Sequence, residues 1–125
     1  MGTNIRLANK IDVTPIFLHR TLHIADYGRW ASRYELLERT VSLELRDNED
    51  SEPVVYREVN LENVAQGMSL LLTKKPADLM LTTRNRDFVA SAILAHAKDH
   101  KVNQITPVQA SCVMQLATIG KVIYG

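Results

Sequence analysis

Thr106-Pro107-Val108-Gln109-Ala110-Ser111-Cys112-Val113-Met114-Gln115-Leu116-Ala117-Thr118-Ile119 contains no charged residue. A threonine that can cap free helix amides, followed by a proline suited to the first helical position, predicts a helix from Pro107 to about Ile119. Along it Val108, Cys112, Gln115 and Ile119 form one line, and Ala110, Val113, Met114 and Ala117 another. A helix wet on one side carries more charge, so this one is expected either at the centre of the fold or beneath a second subunit. The second alternative makes Val108, Cys112, Gln115, Ile119 and Tyr124 an expected interface of a homo-oligomer. A membrane span is excluded by the polar residues that punctuate the longer uncharged stretch from Val102 to Gly120, among them Asn103, Gln104, Gln109 and Gln115.

Upstream, Asn60 is placed to cap a helix in which Leu61, Val64, Ala65, Met68, Leu71 and Leu72 share one face, ending at Lys74-Lys75-Pro76. Before it, Val41, Leu43 and Leu45 alternate with Thr40, Ser42, Glu44 and Arg46, the period of a strand with one side on a core. The β-branched run Val54 to Val59 predicts a second strand, joined to the first through the acidic, solvated loop Asp47 to Glu52. Thr14-Pro15 predicts a helix to about Tyr27, with Leu18, Leu22 and Ala25 in a stripe widened by Ile16, Phe17 and Ile24, and Gly28 as its left-handed stop. Residues 30–39 fit either a strand or a short helix. A further helix is expected from about Asp87 to His100, with Phe88, Ala92, Ile93, Ala95 and His96 facing inward. The expected fold is therefore α+β in a single domain, residues 1–125: an N-terminal helix, a small antiparallel sheet of two or three strands, then three or four helices.

Composition agrees with this and narrows function. The 125 residues are 46% apolar and 23% charged, enough for one core and unlike a disordered chain. Fifteen bases against fourteen acids leave a net charge of +1, without the basic field of a nucleic-acid binder. The balance hides a split, since residues 1–62 hold eleven acids and eight bases (−3) and residues 63–125 hold three and seven (+4). Cys112 has no partner for a disulfide, and no basic-plus-apolar leader opens the sequence, so a cytoplasmic location is expected.

Several landmarks occur together: Val13-Thr14, Ala25, Gly28 and Trp30, the helix Leu61-Glu62-Asn63-Val64-Ala65-Gln66-Gly67-Met68, and the closing Gln115-Leu116-Ala117-Thr118-Ile119-Gly120-Lys121-Val122-Ile123-Tyr124-Gly125. In this order the chain resembles small bacteriophage and prophage proteins of unassigned function, over about three quarters of its length in outline. It departs from them at Thr106-Pro107-Val108-Gln109, where such proteins often carry acidic residues, and at Ile119, where they often carry an aromatic. The resemblance implies a phage-borne accessory protein and transfers no catalytic residue and no cofactor.

Each candidate site in the sequence has a structural alternative. His19 with His23 and His96 with His100 are each four apart, so two helices side by side would offer four imidazoles to a transition metal, with Asp26 or Asp99 in reserve. The alternative is histidines that face solvent or hold single hydrogen bonds. Arg84, Arg86, Lys74 and Lys75 form the local basic group, which with Trp30 and Tyr34 suggests an anion, nucleotide or small-ligand site, or a helix-turn-helix on DNA. Against these, aromatic residues of a small sheet are commonly core. Cys112 in an apolar helix is expected to be a small hydrophobe with a raised pKa. No phosphate loop, dinucleotide glycine pattern or nucleophile elbow occurs. The expectation is a non-enzymatic protein that binds a protein partner or assembles with itself, with no cofactor.

Overall fold

A computed structural model describes residues 4–46 and 54–122, so the predicted acidic loop and Tyr124 lie outside the described residues. Among the described residues the chain is α+β, with a two-stranded and a three-stranded antiparallel sheet and four α-helices. Two short strands, β1 (Ile5–Arg6) and β2 (Asp12–Val13), pair antiparallel ahead of helix α1 (Pro15–Ile24). A meander of β3 (Arg33–Leu36), β4 (Thr40–Arg46) and β5 (Val54–Asn60) follows in the order β3-β4-β5. Helices α2 (Leu61–Thr73), α3 (Thr83–Asp99) and α4 (Pro107–Ile119) complete the chain.

Each long helix begins at a residue chosen for capping. Thr14, Asn60, Thr82 and Thr106 accept from the backbone N–H of Phe17, Asn63, Asn85 and Gln109, and at α2 and α4 the third helical residue returns the bond in a capping box. Helix α4 ends at Gly120, whose φ of 76° is left-handed backbone that glycine adopts without steric cost.

Helix α4 is the centre of the molecule. Eight consecutive residues, Gln109–Leu116, are buried, enclosed by α1, α2, α3 and β5 of the same chain. The closest approach is at Gly67 of α2, where a Cβ atom would lie 2.8 Å from the Val113 carbonyl oxygen and 2.9 Å from the Ala117 amide nitrogen. Polar groups on α4 tie it to its surroundings. Gln109 donates from Nε2 to the Phe88 carbonyl on α3 (2.9 Å), and Ser111 Oγ accepts from the Asp26 backbone N–H (2.7 Å). The sheet packs its Val41, Leu43, Leu45 and Val59 face into this core and turns the other face to solvent, as one-sided antiparallel sheets do.

Several expectations are corrected. Helix α1 stops at Ile24 with extended backbone at Ala25, and Tyr27–Arg29 form a separate 3₁₀ turn, so Gly28 is not its cap. The segment 30–39 contains strand β3 but leaves Trp30 outside it. Helix α3 begins at Thr83, before Asp87, because Thr82 caps it. Ile16, 67% exposed, and Phe88, 51% exposed, point away from the core.

Candidate functional site

Two of the expected interface residues are interior. Cys112 retains 5% of its accessible surface and Gln115 none, and their cover is supplied by this chain, so neither can meet a second subunit. Ile119 is half-buried and Val108 is 50% exposed at the first turn. Burial pushes the Cys112 thiol above its ordinary pKa, as expected of a thiol acting as a small hydrophobe.

The basic residues and the aromatics do not converge. Lys74, Lys75 and Arg84 are exposed without an ion pair among the described residues, while Arg86 pairs with Asp87 (Nε to Oδ1, 2.8 Å) inside the first turns of α3. Residues 74–82 separate α2 from α3 and include a 3₁₀ turn at Pro76–Leu79, much longer than the roughly three- or four-residue turn of a DNA-reading helix pair. Trp30 lies elsewhere, 92% buried (8% exposed) against Tyr27 with ring centroids 5.6 Å apart, and its indole N–H has no partner among the described residues. Tyr34 meets the same Tyr27 at 5.3 Å. Tyr27 donates its hydroxyl proton to the Leu22 carbonyl, and burial raises its pKa. Tyr27 and Trp30 are therefore core at the end of the sheet, while Tyr34, 51% exposed, lies at its margin.

The histidine pairs are likewise spent on structure. His96 is fully buried on α3 and stacks on Phe17 of α1 at 4.0 Å between ring centroids. Its Nε2 lies 3.1 Å from the Thr14 backbone N–H, which can only donate, and its Nδ1 lies 3.1 Å from the Lys101 carbonyl, which can only accept. These partners assign a neutral ring with the proton on Nδ1. His23 donates from Nε2 to the Glu38 carbonyl (2.7 Å) and stacks on His19. Among the described residues no group of three His, Cys, Asp or Glu side chains is placed to hold a metal ion. No helix there is long and apolar enough to cross a membrane.

What the structure presents instead is the solvent face of the sheet, a surface not singled out by motif or spacing. The strand register brings Arg33, Glu44 and Tyr56 into one row across β3, β4 and β5, and Glu35, Ser42 and Glu58 into the next. These residues line an open depression of about 650 Å³. Tyr56 is 70% exposed, and Glu35, Glu44 and Glu58 have no ion-pair partner among the described residues. Directly opposed side chains on neighbouring strands stand about 5 Å apart, so Glu35 and Glu58 flank the short Ser42 and leave a notch between two carboxylates. Arg57, in register with Leu43 between the two rows, donates from Nη1 to its neighbour's carbonyl, Tyr56 O (3.1 Å). The face is rigid beneath, because the other side of β4 is fully packed, and it is chemically suited to a cationic side chain held between carboxylates with an aromatic ring alongside. Compared with protein-family models, with curated proteins and with solved structures, the chain matches none.

Proposed function

We propose that this chain is a non-enzymatic protein-binding module that receives a basic segment of another protein on the solvent face of its sheet. The observation that carries this reading is the pair of rows Arg33-Glu44-Tyr56 and Glu35-Ser42-Glu58: three carboxylates without ion pairs and one exposed tyrosine on a face braced from behind by the core. A lysine or arginine entering over Ser42 gains two carboxylates and displaces little structure. The accessory role in a phage or prophage, implied by the carboxyl-terminal resemblance, belongs to the same proposal. Self-assembly through α4 is not part of it, since that helix is covered by its own chain.

The test is zero-length carbodiimide coupling of carboxylates to amines, with the purified full chain in bacterial cell extract and peptide mapping of the products. Coupling concentrated at Glu35, Glu44 and Glu58, and lost in a Tyr56→Ala chain, supports the reading. Coupling spread evenly over Glu62, Asp78 and Asp99 as well overturns it. Products joining two copies of this chain identify a second copy as the occupant and overturn the choice of a different protein.

A further inference from the structure

The amino-terminal arm is held down at one titratable point. Thr14 follows β2, caps α1, and is the place where this arm meets α3 through His96. The imidazole reaches three segments at once. Nε2 accepts the Thr14 N–H, Nδ1–H donates to Lys101 in the connection before α4, and the ring face lies on Phe17 with planes 4° apart. The other attachments of the arm go to α2: Ala8 N–H donates to Ser69 Oγ (3.1 Å) and Asn9 Nδ2 donates to the Leu72 carbonyl (3.2 Å). The link to α3 is thus separable from the link to α2.

We infer that His96 is a proton-controlled latch that holds residues 12–17 against α3 when neutral and lets them go when charged. A proton on Nε2 would face the Thr14 N–H, donor against donor. The nearby Thr14 Oγ1, 3.2 Å away, accepts from Phe17 N–H and offers a charged ring one remaining lone pair, a neutral partner only. Among the described residues no carboxylate pairs with the ring, and the neutral Lys101 carbonyl, which favours the charged form, is outweighed by burial. At the C-cap of its own helix stands His100, edge-on at 6.1 Å, which brings no negative charge and whose positive form opposes a charge on His96. From the connection comes Lys101, through its carbonyl. From α1 and its cap come Phe17 and Thr14, both uncharged, and the Asp12 carboxylate two residues before Thr14 is engaged by Arg6 Nε at 2.9 Å. Burial acts in the same direction, holding the His96 pKa below the ordinary histidine range. The charged state opens the stacked Phe17–His96 seam and frees the cap of α1, while α2, α4 and the three-stranded sheet, to which the ring makes no hydrogen bond among the described residues, remain folded.

The experiment is an acid titration of the full chain by ¹⁵N NMR of the imidazoles together with amide exchange, from about pH 7.5 to about pH 5 across the ordinary histidine range. The expected result is an Nδ1-protonated neutral His96 that titrates below that range. In the same step the exchange protection of Thr14, Phe17 and Leu18, corrected for intrinsic rates, falls at least tenfold, while Val41, Leu43 and Met114 keep theirs. A His96 that titrates within the ordinary range with Thr14 protection unchanged overturns the inference. Loss of all these amides in one step also overturns it, because the event is then global unfolding. In a His96→Gln chain the protection of Thr14 should not vary over this interval; continued loss there assigns the effect to another group. If that chain does not fold, the titration of the unaltered protein decides alone.

Discussion

Replacing Gly67 by alanine perturbs a close crossing of α2 and α4. Inside a helix this exchange ordinarily stabilises by about 1 kcal/mol, since alanine restricts the unfolded chain and propagates a helix better. Here the added methyl would meet two backbone atoms of α4, the Val113 carbonyl oxygen at 2.8 Å and the Ala117 nitrogen at 2.9 Å, with the Ala117 Cβ at 3.1 Å. Backbone atoms inside a helix cannot swing aside, so α2 and α4 must separate by about half an ångström, and a gap of that size forfeits about a quarter of the dispersion attraction between the parting surfaces. Overpacking of this kind costs about 3 kcal/mol, at the upper end of the usual range, which leaves a net loss of about 2 kcal/mol after the helix gain. For a chain of this length that corresponds to a fall in Tm of about 6–10 °C. Paired urea and calorimetric unfolding of Gly67→Ala and of Gln66→Ala, its exposed neighbour, is the assay. A Tm for Gly67→Ala that is unchanged or raised would refute the close α2–α4 crossing.

Four further outcomes follow from local chemistry. Asn60→Ala removes the side-chain acceptor of the Asn63 N–H, one half of the capping box at α2, and should cost about 1 kcal/mol in urea unfolding, with Asn60→Asp recovering most of it. His100 closes α3 with a left-handed φ of 57°, so His100→Gly should stabilise by about 0.5–1 kcal/mol; a loss would mean that its edge contact with His96 outweighs the backbone strain. Because burial lowers the His96 pKa in the folded state, the unfolded chain binds more protons in the interval up to the ordinary value of about 6.5. Stability from this group is therefore complete above about pH 6.5 and declines as pH falls through the lowered folded value, which urea midpoints at a series of pH values will register and a His96→Gln chain will not. Finally, Cys112, buried and with its thiol pKa raised, should react with a disulfide reagent at a rate set by unfolding, so a rapid native-state reaction would place it outside the core.

Where the sequence was legible, periodicity and capping agreed. Thr40–Arg46 alternates without a break, Asn60 and Thr106 each carry a capping signature, and the helices they open run as their apolar spacing dictates. Strands β1 and β2 were invisible because two residues have no period; the Arg6–Asp12 pair and the seat on α2 define them. The start of α3 was missed because its first turn, Thr83-Arg84-Asn85, is wholly polar and exposed, so the apolar stripe begins one turn late. Trp30 and Tyr34 were separable from the basic group only by tertiary packing. The acidic sheet face depends on register across three strands, and register is set by chain segments up to two dozen residues apart, beyond the reach of local spacing. The uncharged final helix illustrates the same limit, since composition required that α4 be covered but could not say by what.

That last question is the one on which the account turns. If α4 is enclosed by α1, α2, α3 and β5 of its own chain, its core amides are protected by the monomer's global stability, and the binding surface must lie elsewhere. Hydrogen exchange of Ala110–Leu116 in the full chain, followed from low- to high-micromolar protein, measures this directly. Protection equal to the global unfolding free energy and independent of concentration is the predicted result. Protection that rises with protein concentration would contradict it and return α4 to an intersubunit seam.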